Sequence, residues 1–277
     1  MGYKTILVHC DATRGAAGRL RIAADVARQH GAHLIGLHVR QPFQTPIFTD
    51  ASAAMDALYA SYEETTRTDE AAASAIFHDL VGSAGDSSEW RTVAGMADEC
   101  LIEAGRYADL IVLGQYDPEA LPVTTSSDLV ERVAMATERP TLIVPHIGVM
   151  KPPGGNVMVC WNNSREAVRA TTAALPILKA AVKVTLLMID PQKTSAANEP
   201  GADIAQWLSR HGVKAVLQHD SAEGSDVGGV ILSRAADRDV DLIVMGIYGH
   251  SRVREMVLGG ASRTLLASMT VPLLVAH

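Results

Sequence analysis

The stretch Ala108-Asp109-Leu110-Ile111-Val112-Leu113-Gly114 returns as Val240-Asp241-Leu242-Ile243-Val244-Met245-Gly246, and that recurrence decides the architecture. Two residues past each glycine stands a tyrosine, Tyr116 and Tyr248. Twenty-six positions past each glycine stands a proline, Pro140 and Pro272, which opens a second apolar run (Thr141-Leu142-Ile143-Val144 and Leu273-Leu274-Val275-Ala276). The leading edges match as well: Ile6-Leu7-Val8-His9-Cys10-Asp11 against Val157-Met158-Val159-Cys160-Trp161-Asn162. The offset is 151 there and 132 further on, so the second copy lacks 19 residues in its middle. The chain is a duplication, with domains expected over 1–148 and 155–277. The joint carries Pro152-Pro153-Gly154-Gly155 and is too short to let the copies swing freely.

Within each copy, short β-rich runs alternate with helical patterns. Strands are expected near Ile6–Cys10, His33–Val39, Trp90–Val93, Asp109–Leu113 and Thr141–Val144, then near Val157–Cys160, Lys183–Ile189, Ala215–His219, Asp241–Met245 and Pro272–Val275. Several are continuous apolar runs, as a parallel sheet covered on both faces requires. Between them, Leu20, Ala23, Ala24 and Ala27 keep the spacing of a buried helical stripe, as do Ala167, Ala170, Thr171 and Ala174. Strand–helix alternation with right-handed crossovers gives an α/β fold: two tandem Rossmann-like domains, each a doubly wound five-stranded parallel sheet. The two copies are expected to pack face to face about a pseudo-twofold axis through their last strands. The segment Ser52–Leu80, rich in Ala, Glu and Thr, reads as an extended surface helix.

Composition excludes several classes of function. Of the 277 residues, 48% are hydrophobic and 20% charged, with a formal net charge of −7, the balance of a globular protein without the basic stripe of a nucleic-acid binder. No apolar run approaches the roughly 18 residues that cross a bilayer, and Ile6-Leu7-Val8 begins too early to leave room for a signal peptide. Gly2 lacks the correctly spaced hydroxyl of a myristoylation signal. Cys10, Cys100 and Cys160 form no CxxC pair and read as reduced thiols, so a cytoplasmic location is expected.

Open α/β sheets bind ligands beyond the carboxyl ends of their strands, where strand order reverses. The loop to inspect follows Met245: Gly246-Ile247-Tyr248-Gly249, nine residues, then Gly259-Gly260-Ala261-Ser262 and a helical Arg263–Thr270. Glycines there would allow positive φ and let backbone N–H groups approach an anion. The start of the last helix adds unpaired donors and the positive end of its dipole. Ser262 is a candidate helix N-cap or a hydroxyl donor to phosphate. Tight turns alone would also use glycines, but the position directly before a helix favours an anion site.

The G-x-x-G, nine residues, G pattern, carried on a duplicated five-strand layout, resembles the nucleotide signature of universal stress proteins. The resemblance covers nearly the whole chain. It implies a regulatory protein of the stress response that binds an adenine nucleotide, ATP with or without Mg2+, in the second copy, with little or no turnover. By that resemblance the phosphate residues are Gly246, Gly249, Gly259, Gly260, Ala261 and Ser262. Asn162 stands where the family usually carries an acid after its first strand, and Ile189 where an apolar side chain touches adenine. Gly260 departs from the Ser or Thr usual after Gly259. Partners implied are the nucleotide and the paired copy itself, with a homodimer as a further step. A ligand-independent protein-interaction module of the same fold is the alternative.

The first copy breaks the pattern. Its loop aligns Asp117 with Gly249, Ser127 with Gly259, Asp128 with Gly260 and Val130 with Ser262. Carboxylates facing a polyphosphate would repel it, so this copy is expected to be empty. There is no GxxxxGK[ST] or GxGxxG. Ser83-Ala84-Gly85-Asp86-Ser87 precedes a strand and reads as a solvent loop, and the scattered histidines offer no nucleophile–base pair.

Overall fold

The computed structural model describes residues 2–43, 52–81, 87–119, 126–149, 151–191, 199–248 and 260–277. The first copy runs β1 (Thr5–His9), α1 (Ala16–His30), β2 (His33–Arg40), α2 (Ser52–Val81), β3 (Ser88–Ala94), α3 (Ala97–Gly105), β4 (Leu110–Gly114), α4 (Leu129–Ala136) and β5 (Thr141–Val144). The second repeats it with β6 (Asn156–Cys160), α5 (Arg165–Leu178), β7 (Lys183–Ile189), α6 (Ala202–Arg210), β8 (Ala215–Asp220), α7 (Val227–Asp237), β9 (Leu242–Gly246), α8 (Ala261–Ser268) and β10 (Leu273–Ala276). All ten expected strands are present.

Strand order is β3-β2-β1-β4-β5-β10-β9-β6-β7-β8, a single ten-stranded sheet. Every pairing within a copy is parallel, and the order reverses between β1 and β4 and again between β6 and β9. The copies meet where β5 and β10 pair antiparallel, Leu142 opposite Leu274. The last strands therefore form the joint as expected, but edge to edge. A face-to-face arrangement is excluded because helices already occupy both faces of each sheet, and the only unpaired backbone available to the partner is the edge.

Joining the edges fuses the cores. One apolar layer runs from Leu20, Ala23 and Phe77 under α1 and α2 to Ala170, Ala174 and Leu208 under α5 and α6. The other runs from Leu101 and Val133 to Ile231 and Leu265 under α3, α4, α7 and α8. On the first face the Tyr3 hydroxyl donates to the carbonyl of Ala173 on α5, 2.8 Å away, crossing between copies. The helix α2, expected to lie on the surface, instead sinks its C-terminal end into the core through Ala73, Phe77 and Val81. Its earlier turns are largely exposed.

Candidate nucleotide site

At the carboxyl edge of the second copy lies an open cleft of about 680 Å³ between the end of β6, the end of β7 and the helices α5 and α6. Asn162 and Ile189 both line it, so two residues 27 positions apart in sequence are brought to one site. Asn162 is exposed, and its Oδ1 accepts from the Ser164 N–H at 3.2 Å, a local turn that delivers the chain to Ser164. Ser164 caps α5 by accepting from Ala167 N–H at 3.1 Å. Trp161, buried in the core, forms one wall, and Trp207 of α6 another. The charged residues in the lining are Asp190 and Asp203, both acids.

In the glycine loop, Gly249, Gly259 and His250 lie outside the described residues. Gly246 ends β9 without positive φ, and its role is close approach: a Cβ there would stand 2.5 Å from Ala167 N and from the Glu166 carbonyl carbon. Gly260 is the N-cap of α8 at φ −59°, so it too needs no glycine-specific backbone. Among the described residues of this loop, positive φ falls on Tyr248, at +55°. Ala261 opens α8. Ser262 is not the N-cap; it sits inside the first turn, buried, with its Oγ 3.5 Å from the Tyr248 N–H.

In the first copy the space between the ends of β1 and β4, which corresponds to that beside Asn162 and Gly246 and not to the cleft between β6 and β7, is closed. The cavity lined by His9, Asp11, Thr13, Arg19, Gly114, Gln115 and Asp117 has about 20 Å³. It is filled from within by Arg19, which stands on α1 where the second copy has Ala170. The Arg19 Nε donates to the His9 carbonyl at 2.9 Å, and its Nη2 lies 2.7 Å from Asp11 Oδ1. Asp11 also accepts from the Thr13 N–H and hydroxyl. Burial alone would raise the Asp11 carboxyl, but Arg19, His9 and Thr13 hold it well below the usual range. Burial pushes His9 down to about 4, leaving it neutral. Gly114 has no room for a Cβ because Arg19 lies against it.

Over this plug Arg14 grips Asp117 with two contacts of 2.7 and 3.0 Å. Asp117 therefore does not present a bare carboxylate to a ligand; it is paired and tied into the closure. Asp128 does not face the cavity either. It is the half-exposed N-cap of α4 and pairs with Arg132 at 3.0 Å. The two acids expected to repel a polyphosphate are thus both paired with arginines. The detectable signal was Arg19 itself, a charge inside an otherwise apolar stripe of α1.

Other candidates resolve as structure. His33 contacts Ser87, His38 contacts the Cys10 carbonyl, and His219 contacts the Pro200 carbonyl. Cys10 and Cys160 have thiols pushed up to about 12 by burial, well outside the reactive range. Among the described residues no cluster of His, Cys, Asp or Glu could hold a metal, and no helix is long and apolar enough to cross a membrane.

The family model described as universal stress protein family matches this chain twice, over residues 2–145 and 155–277. The chain belongs to the universal stress protein family. A universal stress protein from Archaeoglobus fulgidus shares its fold at 19% identity, covering 98% of this chain and 95% of that one with a TM-score of 0.71. A functionally unknown protein from Pseudomonas aeruginosa does so at 16% identity, covering 99% and 92%, with a TM-score of 0.59. Comparison with curated proteins finds no match. As a tandem universal stress protein, the chain has an open cleft at the ends of β6 and β7 and a filled cavity between the ends of β1 and β4.

Proposed function

We propose that this chain is a cytoplasmic regulatory protein of the stress response that binds one ATP, in its second copy, with little or no turnover. The observation that carries the proposal is the open cleft of about 680 Å³ at the ends of β6 and β7 in the second copy, while in the first copy the Arg19–Asp11 pair fills the space between the ends of β1 and β4. Pockets of a few hundred Å³ with apolar walls and a few polar groups suit a nucleoside. Trp161, Met188, Ile189, Ile204 and Trp207 supply apolar walls, and Asn162 a hydrogen-bonding partner for ribose. With acids as its charged lining, the cleft suits the base and sugar. The phosphates belong toward Gly246, Gly249 and Gly259 and the N–H groups of Gly260, Ala261 and Ser262 at the start of α8, where the helix dipole favours an anion. Mg2+ would accompany the phosphates as their counterion.

The described residues at the open site include no paired base and nucleophile, which favours binding over hydrolysis. Calorimetric titration with ATP and magnesium should give a stoichiometry near one. A value near two would overturn the closure of the first copy. No binding of ATP, ADP or AMP would make the ligand-independent interaction module the better reading.

A further inference from the structure

The helix α8 begins at the proposed phosphate end of the second copy, and its other end is held by the first. The last carbonyls of a helix lack intrahelical partners and need a cap. In α1, α3, α4, α5, α6 and α7 a backbone N–H of the following residue turns back to supply one. At α8 the chain leaves through Met269 in an extended conformation, and among the described residues no backbone N–H returns. The cap comes instead from Gln115, in the first copy. Its Nε2 donates to the carbonyls of Leu266 at 2.9 Å and Ala267 at 3.1 Å. Its Oε1 accepts from the His146 backbone N–H at 3.1 Å and lies 2.9 Å from His146 Nδ1, so the amide is fixed at both ends.

The arrangement is not reciprocal. The residue equivalent to Gln115 is Ile247, buried and without a donor to offer α4. The helix α4 closes itself, with both the N–H and the hydroxyl of Thr137 returning to Val133; the equivalent residue after α8 is Met269. The first copy thus caps both helices, α4 through Thr137 and α8 through Gln115. Gln115 also lines the plugged cavity beside Arg19 and Asp117.

We infer that the first copy is a positioning subunit for the second: Gln115 clamps the C-terminus of α8 and so fixes the N-terminal amides that receive the phosphates. This rests on the nucleotide reading above.

The test compares the full chain with Gln115→Met, which keeps size and removes the amide, and Gln115→Glu, which keeps the acceptor to His146 and removes the donor. Affinities for ATP and for adenosine are measured by calorimetry, and exchange of the α8 amides by hydrogen–deuterium exchange without ligand. In both variants the α8 amides should exchange faster. ATP should weaken about fivefold, the size expected for one lost side-chain hydrogen bond, while adenosine holds. Unchanged exchange in α8 would overturn the clamp. Faster exchange with an unchanged ratio of ATP to adenosine affinity would overturn its role in phosphate positioning. If wild type binds neither ligand, the nucleotide reading fails, and the positioning role with it; if wild type binds ATP and the variants bind it equally well, the positioning role is wrong while the nucleotide reading stands.

Discussion

Replacing Arg19 with alanine tests whether the first copy is closed by its own side chain. Arg19 and Asp11 are 3% and 2% exposed, and their charges lie 2.7 Å apart. Removing the guanidinium leaves the Asp11 carboxylate buried with only Thr13 and the neutral His9 beside it. Breaking a buried pair from one side costs about 3–5 kcal/mol, far more than the pair contributes when intact, because the remaining charge is uncompensated. For a chain of this size that corresponds to a fall in Tm of about 6–10 °C. Arg19→Met with Asp11→Leu removes both charges and should recover most of the loss. The penalty also depends on pH. In wild type the Asp11 pKa is depressed, so its contribution is fully present above the ordinary carboxylate range and is lost as pH falls below that range towards the depressed pKa. In Arg19→Ala burial raises that pKa, so the difference between the two proteins should shrink on acidification. Thermal or denaturant melts at pH 7.5 read all of this. A loss below about 1 kcal/mol for Arg19→Ala, or a double variant as unstable as the two single losses added, would refute the reasoning.

Gly249→Asp copies the first repeat into the second. Saturating ATP, at about 100 times its dissociation constant, should stabilise wild type by roughly 2.7 kcal/mol and several degrees; the variant should lose that shift while its ligand-free Tm stays within a few degrees, and retention of the full shift would sink the phosphate assignment. His9 is held neutral, its pKa lowered to about 4 from 6.5. The unfolded chain therefore binds the extra proton between those values, and stability present above pH 6.5 should fall by up to roughly 3 kcal/mol towards pH 4. His9→Asn should flatten that slope in denaturant melts, and an unchanged slope would assign it elsewhere. Because β5 and β10 share one sheet, separately expressed halves should be insoluble or should re-associate on mixing; two stable monomeric halves by ultracentrifugation would contradict the shared core.

The strands were legible in the sequence because fully buried parallel strands are continuous apolar runs, and the duplication was legible because Asp109 and Asp241 precede near-identical strands. Asn162 and Ile189 could be placed at one crevice because they stand at the ends of two strands whose order topology fixes. Local pattern stops there. The sequence supported a face-to-face joint as readily as an edge-to-edge one, since nothing in Leu142 or Leu274 states which unpaired backbone will meet it. It rested the expected emptiness of the first copy on Asp117 and Asp128, whose charge is visible in a row of letters, and missed Arg19. That side chain closes the site only because α1 crosses the end of β4 at Gly114 and lays a guanidinium against Asp11. Gln115 was equally silent, since its partners at Leu266 and Ala267 lie 151 and 152 residues away. Side-chain identity at strand ends is a local property and can be read in order; which of those side chains fills a site, and which holds another helix in place, depends on distances that exist only once the two copies share a sheet.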